Sequence, residues 1–310
     1  MLGASLNRLA ARRAFCVAAW IAATCFLTAQ DEKPREIAPG ELVRQTVARE
    51  VAAADNGSIK HMFHSRKKAP KGSQTRIYVE TSDAMAGMLI AVNDRPLTTE
   101  QQQAELGHLS WLMDNPEQLR KKKAREKEDA ERTLRIVKAL PAAFLYQYDG
   151  TETGTAELGK PGDELVRLKF TPNPSYSPPS HVEQVLEGMQ GYLLIDRNER
   201  RIAKIDGVLF REVSFGWGII GHLDKGGHFR VEQADVGNGS WELTAMSLKI
   251  TGKILMFKGI SMISDETFSD FQRVPDRLTF AQGVAMLKAE QEKTAHLHAP
   301  EASGPNATTR

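Results

Sequence analysis

"SFGWGIIGHLDKGGHFRVEQ", residues 214–233, decides between two kinds of sheet. Gly216, Gly218 and Gly221 flank Trp217, Ile219 and Ile220. Glycine inside a strand weakens it and marks a bulge, a sharp bend or a close approach. A long antiparallel sheet needs such points to curl. A curled sheet has a concave face, which helices, a ligand or both must fill. Further along, Asp224, Lys225, Gly226 and Gly227 have turn chemistry. With Lys225-Gly226 as a two-residue loop, His222 stands across from Phe229 and Leu223 across from His228. Strand alternation then sends the two histidines to opposite faces, where one metal ion cannot take both. No catalytic, nucleotide-binding or zinc-binding signature of the GxSxG, P-loop or HExxH kind accompanies them, so no catalytic, cofactor or metal residues are assigned.

The surroundings favour a long meander. From about residue 143 to 275, seven or more β-rich runs are punctuated by Gly, Asp or Asn. The four prolines of "TPNPSYSPPSH", residues 171–181, exclude a central strand there. A short helix is expected from "HVEQVLEGM". In "HFRVEQ", Phe229 and Val231 point one way and Arg230 and Glu232 the other, so one face is wet. In "GKILMFKGISMI", Ile254 and Met256 share one face and Leu255 and Phe257 the other, which calls for cover on both sides. Methionines at 246, 256 and 262 suit either core filling or an adaptable apolar surface.

Helices precede the meander. Leu42, Val43, Val47 and Val51 form one helical stripe over residues 40–54, with Pro39 at the start and Asn56-Gly57 as the stop. Thr98 and Gln101 make a capping box for a helix over 98–113, and Asn115-Pro116 with Gln118 is expected to do the same for a helix over 116–140. Within that last helix, "RKKKAREKEDAER" is charged nearly all round. Its acids answer its bases locally, as on a solvated face. Leu134, Val137 and Leu140 predict that only its C-terminal end docks while the rest projects.

The chain begins with Arg8, Arg12 and Arg13, then an uncharged apolar run over residues 14–29. This has the form of an export leader. The run is short for a bilayer span, although a retained anchor remains an alternative. Twin-arginine export and lipidation at Cys25 are weaker variants. Without residues 1–29 the 41 basic residues fall to 38, against 39 acidic ones, and the net charge changes from +2 to −1. No concentrated positive surface points to nucleic acid. Cys16 and Cys25 are the two cysteines, so the segment after the leader can form neither a disulfide nor a thiolate site. The expected organisation is a leader (1–29), a linker (30–39), one domain (40–287) with a helical insertion (98–140), and a disordered tail (288–310).

This order of elements resembles the LolA/LolB-type half-barrel of periplasmic lipoprotein-sorting carriers. The likeness rests on the helix 40–54, the hairpin "GYLLIDRNERRIAKIDG" and the strands through "FSDFQRV". It implies an α+β fold, a strongly curved antiparallel sheet with the N-terminal and inserted helices packed on it. It also implies an exported, non-enzymatic envelope protein that takes lipid or lipoprotein acyl chains. Trp217, Phe229, Val231, Trp241, Met256 and Phe257 are the candidate lining residues, with helices 40–54 and 98–113 as a lid. Membrane association would be transient or through an uncleaved leader. Two other readings stand beside this one. One is a structural module that meets an envelope partner through the charged helix 116–140. The other is a secreted hydrolase using Asp196, Asp206, Asp224, His222 and His228.

Overall fold

Apolar residues at helical spacing open the fold. In a computed structural model of the chain, residues 37–55, 59–216, 220–254 and 258–297 are described. Helix α1 (Pro39–Asp55) buries Leu42, Val43 and Val47. Strands β1 (His61–Ala69), β2 (Gly72–Val79) and β3 (Ala86–Val92) follow, with a short β4 (Arg95–Pro96). Asn93 and Asp94 turn between β3 and β4 with positive φ. Helix α2 (Thr99–Asp114) starts at the expected capping box between Thr98 and Gln101. Helix α3 (Pro116–Ala143) does not start on such a box: Asn115 makes no side-chain cap. Its amide instead donates to the carbonyl of Trp111 at 2.7 Å, closing the end of α2.

Strands β5 (Phe144–Thr153) and β6 (Glu164–Pro172) come next. A one-turn helix, α4 (His181–Gln184), leads into β7 (Met189–Asp196) and β8 (Ile202–Leu209). The β7–β8 hairpin forms as expected, with Leu193 opposite Ile205. The buried Asp196 holds its turn by accepting from the backbone N–H groups of Asn198 and Glu199 at 3.0 and 2.9 Å. Strands β9 (Val213–Phe215), β10 (Gly221–Leu223), β11 (His228–Asp235), β12 (Trp241–Ile254) and β13 (Lys258–Arg273) complete the sheet. Helix α5 (Phe280–Leu297) runs on into the segment expected to be a disordered tail. Val284 and Leu287 anchor it in a core.

Every named strand pairing is antiparallel. The strands join one open sheet in the order β4-β3-β2-β1-β13-β12-β11-β8-β7-β6-β5, with β9 and β10 off this path. An open antiparallel sheet with helices packed on it is the α+β architecture that the LolA/LolB resemblance implies. One close approach is set by glycine. Gly191 and Gly207 face each other across β7 and β8. A Cβ on Gly191 would lie 1.9 Å from the carbonyl oxygen of Asp206, so no larger residue lets these strands come so close.

Two cores lie at opposite ends of this sheet. In the first, Leu42, Val43 and Val47 of α1 and Leu140 of α3 pack on β5–β8 through Phe144, Phe170 and their neighbours. In the second, α2 and α5 pack on β1–β3 through Met62, Ile77, Val79 and Met88. Cross-strand pairs Ile205–Val231, Val231–Met246, Met246–Glu266 and Glu266–Lys67 trace the first core's face across to β1. Met62 is five residues from Lys67 on β1, so alternation puts the second core on the other side of the sheet. Each buried aliphatic or aromatic side chain contributes about 1.5–3 kcal/mol.

Three expectations differ from this arrangement. First, residues 221–229 are not a hairpin. β10 and β11 both pair with β12, at Lys253 for His222 and at Lys249 for His228. The two histidines therefore share a face, about 13 Å apart along β12. Distance, not orientation, keeps them from sharing a metal ion. Second, α3 docks at both ends. Leu119 joins the second core, and Glu126 accepts from the backbone N–H of Met85 at 3.1 Å. Third, the expected cover over the β12–β13 hairpin is incomplete, because Met262 and Ile263 are exposed. Leu255, Met256 and Phe257 lie outside the described residues.

Candidate functional site

Alternation places Phe229 and Val231 of β11 on the sheet face that α1 and α3 cover. There they line a cavity of about 300 Å³. Its roof comes from α3, whose Ile136, Val137 and Leu140 recur at helical spacing and point down together. One end is closed by Phe144, Phe170, Leu186 and Met189. Its floor is Ile202, Ile205 and Leu209 of β8, then β11, then Ile250 of β12. Gly207 and Gly227 also lie on the floor. A Cβ on Gly207 would approach Met189 to 2.9 Å, so this glycine leaves room above the strand.

The cavity holds almost no free polarity. Glu50 of α1 lines it, but its carboxylate accepts from Arg201 Nε at 3.0 Å and from the Ile202 N–H at 2.7 Å. His228 borders it, with Nε2 2.9 Å from a carboxylate oxygen of Asp206. Thr133 and Gln233 are uncharged. Such a lining suits apolar groups better than water.

Of the candidate lining residues, the structure brings Phe229 and Val231 together in the cavity. Trp217, Met256 and Phe257 lie outside the described residues. Trp241 is not among the cavity residues. It is buried with Leu165, Leu194 and Ala203, under the loop whose Gly159 bridges to Ala234. Leu165 and Leu194 alternate with the first core's Val166, Leu193 and Ile195, so this cluster points away from the cavity. The Arg201 guanidinium stands 5.4 Å from the Trp241 ring centre and so links it to Glu50. The roof is also different from expectation: α3, not α2, joins α1 over the cavity. Phe144 and Phe170 went unassigned in the sequence, although "AAFLYQYDG" and "LVRLKFTP" carried alternation that could have found them.

The residues considered for a hydrolase do not converge. His228 pairs with Asp206, His222 lies 3.4 Å from Asp224, and Asp196 is committed to its turn. The Asp206–His228 pair belongs to a polar lattice. There Lys204 meets Glu232 at 3.2 Å, Arg230 meets Glu232 at 2.8 Å, and Arg167 lies over the Tyr192 ring. The exposed middle of α3 is a ladder of local ion pairs, among them Lys127 with Glu131 and Arg132 with Glu128. Among the described residues no group of three or more His, Cys, Asp or Glu side chains is placed to hold a metal. No helix among them is long and apolar enough to cross a membrane.

No protein-family model matches the chain, and no curated protein matches it. Two solved structures are similar over most of their length. One is a domain assigned to outer membrane lipoprotein sorting from Vibrio parahaemolyticus. It is 9% identical, covers 81% of this chain and 98% of its own, and has a TM-score of 0.30. The other is a DUF1329 family protein from Desulfovibrio piger. It is 9% identical, covers 79% of this chain and 98% of its own, and has a TM-score of 0.24. The fold assignment rests on the sheet and its helices, not on these distant likenesses.

Proposed function

We propose that this chain is an exported, non-enzymatic protein of the bacterial envelope that holds an acyl chain, from a lipid or a lipoprotein, between α3 and the curved sheet. One observation carries the reading: a cavity of about 300 Å³ whose ionisable lining residues, Glu50 and His228, are already engaged with Arg201 and Asp206. With no free charge inside, affinity comes from apolar area, at about 25 cal/mol per Å² before ordering costs. The volume is at the small end for a ligand site, which suits one tail better than several. α1 and α3 serve as the roof. The apolar run behind Arg12 and Arg13 supports export.

The test is a displacement assay with a fluorescent fatty-acid analogue, alongside solvent extraction of the purified protein and mass spectrometry. Wild type is expected to carry lipid and to bind the analogue saturably. Val231→Trp places an indole in the cavity and is expected to abolish binding while the protein stays folded by circular dichroism. A bare wild type that ignores the analogue would overturn the proposal, as would unchanged binding in the variant.

A further inference from the structure

A second cavity, of about 500 Å³, opens where α2 and α3 meet beside β2 and β3. It differs from the first in chemistry. Gln118, Lys122 and Arg125 follow each other at i, i+4 and i+7, so α3 presents all three along one stripe. α2 answers with His108 and Trp111, whose rings stack 6.0 Å apart and 21° from parallel. Trp111 is 47% exposed, a large flat surface left open to solvent. Below them, Leu109, Leu112 and Phe280 give a buried apolar floor. Tyr78 forms part of the wall because β3 has glycine opposite it. A Cβ on Gly87 would fall 2.5 Å from the Tyr78 ring.

The charges here are unequal. Arg76 is met by Glu105 at 3.4 Å and Lys122 by Glu126 at 2.6 Å. Among the described residues the side chains of Arg125 and Gln118 form no hydrogen bond or ion pair. With Glu126 counted, one positive charge, that of Arg125, is left over at the mouth. A guanidinium with its planar donors unused is suited to a carboxylate or phosphate group. The flat rings and apolar floor suit the body to which such a group is attached. Arg125 and Thr133, each lining one cavity, are eight positions apart on α3, about 12 Å. The two cavities are therefore separate sites on one helix.

We infer that the crevice between α2 and α3 binds an organic anion. Its carboxylate or phosphate group lies against Arg125, Lys122 and Gln118, and its flat or apolar body lies between Trp111 and the floor of Leu109 and Leu112. The inference stands independently of the acyl-chain reading, because it rests on different residues.

The probes are 1-naphthyl phosphate and 1-naphthoate, each titrated by calorimetry and by tryptophan fluorescence, with 1-naphthol and inorganic phosphate as the separated halves. At least one complete probe is expected to bind saturably with 1:1 stoichiometry, and neither half to match it. Arg125→Glu and Trp111→Ala change exposed residues and are each expected to weaken binding by about tenfold or more. Val231→Trp, which blocks the other cavity, is expected to leave it unchanged. Absence of saturable binding by both probes would overturn the inference. So would unchanged affinity in Arg125→Glu, or loss of binding in Val231→Trp, which would place the probe in the acyl cavity.

Discussion

Glu50 of α1 and Arg201, the residue just before β8, form an ion pair at 3.0 Å, with each side chain only 12–13% exposed. The same carboxylate oxygen accepts the Ile202 N–H at 2.7 Å, and Arg201 lies against Trp241. One carboxylate thus ties the N-terminal helix to the sheet at the edge of the apolar cavity. Glu50→Ala is expected to leave the guanidinium without its partner and to cost about 3 kcal/mol. Urea unfolding monitored by circular dichroism measures this. A change below about 0.5 kcal/mol would show that packing of Leu42, Val43 and Val47 alone holds α1 down.

Two glycines should respond in opposite directions. Gly191→Ala drives a methyl into the Asp206 carbonyl and is expected to destabilise by about 3 kcal/mol or more, since backbone must move. Gly107 lies within α2, and a Cβ there meets nothing within 4 Å. Gly107→Ala is expected to stabilise by about 0.5–1 kcal/mol. Thermal melts of the two variants beside wild type decide both.

Glu242 carries a pH dependence. Burial raises its pKa from the ordinary 4.5 to about 7, with Glu80 nearby adding to the rise and Ser240, Arg201 and Lys60 opposing it. His61 Nδ1 lies 3.2 Å away, the spacing of an ion pair. Yet burial holds the His61 pKa below its usual value, so burial favours the uncharged form of both groups. A carboxyl with a raised folded-state pKa stabilises fully below about pH 4.5. That contribution is lost as the pH rises through about 7. Glu242→Gln is expected to match wild type near pH 4.5 and to exceed it at pH 8 by up to roughly 3 kcal/mol. His61 stands against Glu242, so the difference reports the carboxyl together with its effect on that histidine. Melting-temperature curves that stay parallel from pH 4.5 to 8 would refute this.

The docking of α3 at its N-terminal half is testable by charge deletion. Glu126 serves both Lys122 and the Met85 N–H, whereas among the described residues Glu131 meets only Lys127, at 3.7 Å on the surface. Glu126→Ala is expected to cost about 1–2 kcal/mol and Glu131→Ala less than about 0.5 kcal/mol. Equal effects in chemical denaturation would mean that this half of the helix is merely solvated.

Local patterns in the sequence were enough for many elements. The stripe Leu42, Val43, Val47 marks α1, the Thr98–Gln101 box opens α2, and the β7–β8 hairpin follows from its alternation and turn residues. The site was legible only in part. Phe229 and Val231 follow from alternation on β11. The roof by Val137 and Leu140 does not, because their helix looked free over most of its length. Its contact with Met85 joins residues 41 positions apart.

By itself, the sequence determined where most helices and strands form and which side of each is apolar. Period 3.6 and period 2 are properties of neighbouring residues. Only the tertiary structure decided which strands meet. β10 and β11 share one edge of β12 instead of pairing with each other, and this puts His222 and His228 on one face. It also decided that one apolar face closes over a hollow while Trp241 is buried behind it. Register between distant strands is chosen by the packing of whole faces, and no local pattern encodes that choice.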